Sequence, residues 1–276
     1  MNVLYKVISR VPRILFKPVY DLYEEYLFER VKAKGKMPKH VAIIMDGNRR
    51  WARKLAKPPW YGHLFGSKTL ENIMDWCREL GIRSLTVYAF STENFKRKPE
   101  EVNALMDLFE QKFKEVVEDE RIHKYGVRVN VIGRKEMLPK NVREAAEEAE
   151  RATKKYSNYF LNIALAYGGR SEIVDAVKEI VDDVLNGNIR KEDINEELLK
   201  RYLYIPNMSD PDIVIRTGGE VRISNFLIYQ IAYSELFFVD VYFPEFRKID
   251  FLRIIREYQK RQRSFGRYAP SMRALI

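Results

Sequence analysis

His40-Val41-Ala42-Ile43-Ile44-Met45-Asp46-Gly47-Asn48-Arg49-Arg50-Trp51 reads as a buried strand that ends on a carboxylate, followed by a tight turn and two arginines. Val41 to Met45 is apolar and too short for a helix core, and it fits a parallel strand covered on both faces. An acid at the C-terminal end of such a strand stands in the crevice where open α/β sheets take up ligands. Gly47 frees the backbone to approach a ligand closely. Asn48, Arg49 and Arg50 offer donors to an anion, and Asp46 can hold a cation between itself and that anion. The stretch suggests a metal-assisted phosphate or diphosphate site. Taken alone, it is equally open to being an ordinary strand with a charged turn.

Working outward, strand-like runs recur at 40–45, 84–90, 127–132, 161–166, 212–216 and 236–241. Helical periods lie near 67–80, 100–119, 139–155, 170–186, 195–203, 225–233 and 250–264. This alternation predicts an α/β fold with a mostly parallel six-stranded sheet flanked by helices. One domain is expected over 37–266, between an N-terminal extension at 1–36 and a tail at 267–276. Polar or glycine-rich segments close four of the strands: Asp46, then Ser91-Thr92-Glu93-Asn94-Phe95-Lys96-Arg97, then Tyr167-Gly168-Gly169-Arg170, then Arg216-Thr217-Gly218-Gly219-Glu220. Any one of them is ordinarily a loop; their recurrence at the same end of successive strands defines a shared rim.

A chain of 276 residues, 46% hydrophobic and 32% charged, suits one large soluble core. The single cysteine, Cys77, rules out an internal disulfide and fits a reducing cytoplasm. Gln is scarce while Lys, Arg and Glu abound, a bias that leans towards a thermophile. The net charge of +10 sits at the ends: nine Lys/Arg oppose four Asp/Glu over 1–39, and nine oppose two over 247–276. Because the middle is not basic and no stacking-aromatic motif appears, nucleic-acid binding is not expected. Val3, Leu4, Val7, Ile8 and Val11 alternate with Lys6, Arg10 and Arg13 in a basic amphipathic segment broken at Pro12 and Pro18. It is too charged to span a bilayer and lacks a signal-peptide pattern, so it reads as a peripheral membrane contact or as a helix docked on protein.

Several chemistries drop out. Gly62-His63-Leu64-Phe65-Gly66-Ser67-Lys68 has the wrong spacing for a phosphate-binding P-loop, and no dinucleotide fingerprint follows a strand. His40, His63 and His123 lack ligand spacing. Asp182-Asp183 has no third Asp at the spacing of an Asp-rich diphosphate motif. A diphosphate site here has to work with few carboxylates and several arginines.

HVAIIMDGNRRWA, YGH at 61–63, TVYAFSTENFKR, NIALAYGGR, IVIRTGGEVRISNF and QIAYSELFF occur in order across 40–238. This series closely resembles the cis-prenyltransferases, the undecaprenyl diphosphate synthase family. The resemblance implies a homodimeric, Mg²⁺-dependent enzyme that adds isopentenyl diphosphate in cis geometry to an allylic diphosphate, making a long-chain carrier-lipid precursor. Asp46 matches the family's Mg²⁺-holding aspartate, and a lone Asp suffices because Mg²⁺ is content with one or two carboxylates plus phosphate oxygens and water. Asn48 matches a polar residue that assists proton removal or orients the diphosphate. Gly47, Arg49, Arg50, Trp51 and His63 fall in the primer-diphosphate region. Ser91, Thr92, Glu93, Asn94, Phe95 and Arg97 match the loop that closes over the substrates, with Asn94 grouped among the catalytic residues. Arg216, Arg222 and Ser224 match the isopentenyl diphosphate site. Glu235 matches a second metal-associated acid near the dimer interface; an ordinary interface or N-cap role is its alternative. Val102, Leu105, Met106, Phe109, Phe113 and Val116 form an apolar stripe, ordinarily core, which the resemblance also places along the product tunnel.

Three departures stand out. Pro59 stands where the family often has an arginine two residues before the aromatic-Gly-His, so one diphosphate contact is either missing or supplied by Lys57. Val221 stands where bacterial members often carry His. Ser264-Phe265-Gly266 lacks the family's Arg-x-Gly, leaving Arg263 or Arg267 to reach across the dimer. Composition and Pro58-Pro59 point to an archaeal-type member that starts from geranylgeranyl instead of farnesyl diphosphate. A non-catalytic partner subunit is the competing reading, and the intact Asp46, Asn48, Arg50 and Arg216 oppose it.

Overall fold

β1 (His40–Ile44) is buried at all five positions, as an apolar run covered on both faces requires. In the computed structural model, which describes residues 13–206 and 208–261, β1 is flanked by β2 (Ser84–Ser91) and β5 (Ile213–Arg216). Beyond these lie β4 (Tyr159–Tyr167), β3 (Val127–Ile132) and β6 (Glu235–Phe238), in the order β3-β4-β2-β1-β5-β6. Every pair is parallel. All six expected strands are present, and the sheet is wholly parallel.

The described helices are α1 (Arg13–Lys34), α2 (Asn48–Lys54), α3 (Pro59–Glu79), α4 (Pro99–Glu118), α5 (Glu120–Tyr125), α6 (Lys140–Thr153), α7 (Gly169–Leu185), α8 (Glu196–Tyr202) and α9 (Lys248–Lys260). Pro59 and Pro99 open α3 and α4 at the first helical position, where proline's fixed φ is suited and no N–H is needed. Hence α3 begins well before the period visible from residue 67.

Strand alternation sends side chains to two separate cores. On one face Phe90, Val131 and Leu165 pack with Leu105 and Phe113 of α4 and with the alanines of α6. On the other, Ala42, Ile44 and Val214 pack with Tyr167, Phe226 and Leu227. The register slips between Tyr88 and Phe90, so the end of β2 bulges where the rim begins.

Two expectations are corrected. Residues 225–233 are not helical but run as successive turns, because Ser224, Asn225 and Leu227 all adopt positive φ, which no α-helix tolerates. The N-terminal segment is not broken at Pro18; α1 runs through it, close enough to the helix start that one backbone bond is all that is forgone. The apolar positions 3–11 and the residues beyond 261, including Arg263 and Arg267, lie outside the described residues.

The chain divides into a unit of residues 38–246, which holds the sheet, and a second formed, in its described parts, by 13–37 and 247–261. Within the second, α1 and α9 pack together. Gln259 donates to the Val31 carbonyl at 2.8 Å, and the Lys248 ammonium lies 4.6 Å from the Phe28 ring centre.

Candidate active site

β1 delivers Asp46 to the crevice between itself and β5, where the connections of the two strands diverge, the usual ligand-binding point of an open parallel sheet. The Thr217 hydroxyl locks the Asp46 backbone by accepting its N–H at 3.0 Å and donating to its carbonyl at 2.7 Å. Arg216, the last residue of β5 and only 4% exposed, donates to Asp46 Oδ2 at 2.8 Å. Arg50 Nη2 lies 3.2 Å from Oδ1, and the Gly47 N–H donates to Oδ1 at 2.6 Å. Burial works against charge on Asp46. Arg216, Arg50 and the Gly47 N–H outweigh it, so the carboxyl stays below its ordinary range and is ionised.

Two glycines permit this packing. Gly47 has φ +102°, and a Cβ there would lie 2.7 Å from the Tyr242 ring. Gly218 has φ +84°, and a Cβ there would stand 2.6 Å from the Arg50 guanidinium. Both are places where only glycine fits.

Around this centre the arginines are tied to carboxylates. Glu220 receives Arg50 at 3.3 Å and Arg222 at 2.5 Å. Arg216 Nη1 also donates to Ser224 Oγ at 2.7 Å and to the Arg222 carbonyl at 2.6 Å. Ser224 holds its hydroxyl there from a backbone with φ +49°, a strained conformation of the kind that gathers at functional sites. Glu101, 4% exposed, takes Arg97 at 3.0 Å and Arg49 at 3.2 Å. The Arg50 and Lys54 cations lie 5.5 and 4.5 Å from the Tyr242 ring centre.

These residues line a polar cleft of about 300 Å³ that includes Asp46, Arg49, Arg50, Glu220 and Arg222. A second cavity, about 480 Å³ and mostly apolar, runs under α3 and α4 along one face of the sheet. Met45, Asn48 and His63 line both cavities and form the neck between them. The His63 ring is neutral, its pKa pushed down to about 3 by burial and then by the charges of Arg97 and Arg49. Asn48 Oδ1, His63 Nε2 and Arg216 Nε are buried and have no hydrogen-bond partner. Such orphans in a cleft are where ligand or water atoms complete the bonding.

The structure therefore brings together Asp46, Gly47, Asn48, Arg49, Arg50, His63, Arg216, Arg222 and Ser224. Arg97 joins them through Glu101. The loop after β2 is built differently. Asn94 Oδ1 accepts the Ser91 N–H at 3.1 Å, closing a capping box on the 3-10 turn Thr92–Lys96. Thr92 and Asn225 donate to Glu93 at 3.2 and 3.4 Å. Trp51 stacks on Tyr61 at 6.0 Å between α2 and α3, and Phe95 packs edge-on to Phe90 at 4.9 Å. Glu235 is not with the group. It opens β6 level with Ile213, at the end of the sheet away from Asp46, so its expected metal association is not one that a single chain assembles.

Glu101 and Tyr242 went unnoticed in the sequence. Glu101 looked like an acid in the first turn of a helix, and Tyr242 has no local signal. Thr217 and Glu220 lie in the glycine-rich strand end, which is what could have marked them. Among the described residues no cluster of three or more potential ligands could cage a metal. One ionised carboxylate among arginines instead suits a hard divalent cation whose shell a bound diphosphate and water complete.

A family model for undecaprenyl diphosphate synthase matches residues 44–266. The tritrans,polycis-undecaprenyl-diphosphate synthase (geranylgeranyl-diphosphate specific) of Thermococcus kodakarensis is 80% identical over 264 residues, 96% of this chain and 100% of its own length. The enzyme of the same name from Methanopyrus kandleri is 53% identical over 95% of this chain and 96% of its own. The crystal structure of lavandulyl diphosphate synthase from Lavandula x intermedia, in complex with dimethylallyl diphosphate, aligns with a TM-score of 0.78 at 35% identity, over 83% of this chain and 98% of that one.

Proposed function

The chain belongs to the undecaprenyl diphosphate synthase family of cis-prenyltransferases, and from that premise we propose how its cleft joins isopentenyl diphosphate to an allylic primer. The observation that carries the proposal is the ionised, arginine-flanked Asp46 at a neck that opens into an apolar cavity. A polar cleft suits diphosphates and an apolar cavity suits a growing hydrocarbon chain. The primer is geranylgeranyl diphosphate, in line with the names of the archaeal relatives.

Asp46 would hold Mg²⁺ here. When bound, the ion neutralises charge on the departing diphosphate and so eases cleavage of the allylic C–O bond. Arg50 and Arg49 bind the primer diphosphate from one side, while Arg216, Arg222 and Ser224 hold that of isopentenyl diphosphate. Preorganised donors of this kind stabilise charge as it develops, without reorganising. The carbon–carbon bond forms between the primer's C1 and the terminal alkene carbon of isopentenyl diphosphate. Loss of a C2 proton then sets the new double bond. Asn48 Oδ1, buried without a partner at the neck, accepts a hydrogen bond from the water that carries this proton away. His63 stays neutral and adds no cation beside the reacting carbons.

Two assembly proposals accompany this. Val174, Val177 and Val181 project from α7 at helical spacing, each about half exposed, and such a stripe supports a homodimer. Val19, Leu22 and Tyr26 form an exposed apolar row on α1 within a net-basic segment, which supports a peripheral contact of a cytoplasmic enzyme with an anionic membrane. No described helix is long and apolar enough to cross one.

The test is incorporation of radiolabelled isopentenyl diphosphate with Mg²⁺ and a panel of allylic primers. Geranylgeranyl diphosphate should give the highest kcat/KM. Asp46→Ala should cut kcat roughly a thousandfold, as loss of a main electrostatic stabiliser does. No incorporation with any primer would refute the reading.

A further inference from the structure

The apolar cavity does not end at the neck. Besides Asn48 and His63 at the neck, it is lined by Ile82, just before β2, by Leu85 near the start of that strand, and by Val127 and Tyr159, the first residues of β3 and β4. It therefore runs the length of the sheet, from the rim that carries Asp46 to the opposite edge. At that far edge its lining is charged. Arg121 clamps Asp119 through two hydrogen bonds of 2.8 and 3.1 Å and lies 3.8 Å from Glu71. Lys112 bridges Glu71 at 3.0 Å and Glu115 at 2.7 Å. These five side chains, from α3, α4 and the start of α5, line the cavity and are also 26–52% exposed to solvent. They form a collar between the cavity and water.

Volume makes the collar consequential. An apolar cavity of about 150 Å³ takes up one benzene, about 25 Å³ per carbon. At that ratio 480 Å³ holds a chain of about twenty carbons, which is the size of a geranylgeranyl group. The relatives are named for a product of eleven five-carbon units, far more than this space can hold. A lengthening chain must then either push apart close-packed walls or leave between the charged side chains at the far edge. The walls are core, where added volume is poorly tolerated. The collar is a set of part-exposed ion pairs, individually weak and screened by salt, so it yields first.

We infer that the Glu71–Lys112–Glu115 and Asp119–Arg121 pairs form a gate at the far end of the cavity, closed over the primer and opened by the product tail once it outgrows about twenty carbons. This rests on the polyprenyl synthase reading above. The gate seals the apolar cavity from water while the primer binds, and its opening sets the point at which short products would stall.

The experiment uses the full chain with geranylgeranyl diphosphate, Mg²⁺ and radiolabelled isopentenyl diphosphate, and sizes the products by reverse-phase chromatography. Lys112→Ala combined with Arg121→Ala should raise the ratio of full-length to short products roughly threefold, an effect suited to the loss of weak pairs. It should leave the KM for primer unchanged, because the primer fits with the gate closed. Added KCl should move the wild-type product ladder in the same direction and leave that of the double variant where it is. Lys112→Arg, which keeps the charge, should retain the wild-type ladder, and this separates gating from general loosening of the fold. An active wild type whose ladder matches that of the double variant, with or without salt, would overturn the gate alone. A wild type inactive with every primer would overturn the underlying function and the gate with it.

Discussion

At neutral pH His63 is unprotonated between the cleft and the apolar cavity, and His40 is unprotonated at the start of β1. His40 is fully buried, and burial pushes its pKa down to about 4, against the partial support of the Ser209 carbonyl. Its two ring nitrogens meet that carbonyl at 2.5 Å and the Thr86 hydroxyl at 2.7 Å. Unfolded, both histidines would titrate near 6.5. The folded values are lower, so the unfolded chain binds protons more readily. The stability these residues contribute is complete above about 6.5 and is lost as pH falls towards 4 and 3. By pH 4 that amounts to about 3 kcal/mol for each histidine. His63→Gln should therefore lose less Tm between pH 7 and pH 4 than the wild type, measured by scanning calorimetry. An identical loss would mean that the His63 ring takes up its proton as readily in the native protein as in the unfolded chain. Asp46 and Arg216 were both legible in the sequence, since each closes an apolar run. Glu101 was not: what matters about it is that two arginines from separate segments, Arg49 and Arg97, converge on one buried carboxylate, and no local pattern records that.

Among the elements, α2 and α3 approach each other closely. A Cβ at Gly62 would stand 2.0 Å from the Asn48 carbonyl oxygen, and one at Gly66 2.5 Å from Asn48 Oδ1. Two glycines a helical turn apart thus let α3 press against the first residue of α2, and this contact fixes Asn48 at the neck. Gly62→Ala should force the helices apart at a cost of about 1–3 kcal/mol, visible as a lowered urea midpoint. It should also reduce kcat more than KM, because Asn48 moves with the contact. The strands were legible because their apolar runs are short and close on polar residues or glycine. The turns at 225–233 were not, because Phe226, Leu227 and Ile231 imitate a helical face while the positive φ of Ser224, Asn225 and Leu227 leaves no mark on residues other than glycine. α2 escaped notice for a different reason. Seven residues make two turns, too few for a period to show.

For the whole molecule, the α7 stripe supplies the test of assembly. Val177→Glu with Val181→Glu places two charges in a row that supports a subunit contact, and light scattering should then report a monomer where the wild type is a dimer. A wild-type monomer would remove the dimer proposal, and a variant dimer would move the contact to another face. The order of the sheet has a further consequence, for how the protein is made. β1 is the third strand from the β6 edge, and its two neighbours are 84–91 and 213–216. The partner that charges Asp46 lies 170 residues downstream. During synthesis the strand that carries the key carboxylate must wait, templated on one side alone, until about three quarters of the chain has left the ribosome. Parallel pairings this distant in sequence form slowly and leave apolar edges open to other chains meanwhile. The same topology that places the acid and its arginine side by side therefore makes that pair one of the last contacts to form, so catalytic competence should arrive together with the completed fold and not before it.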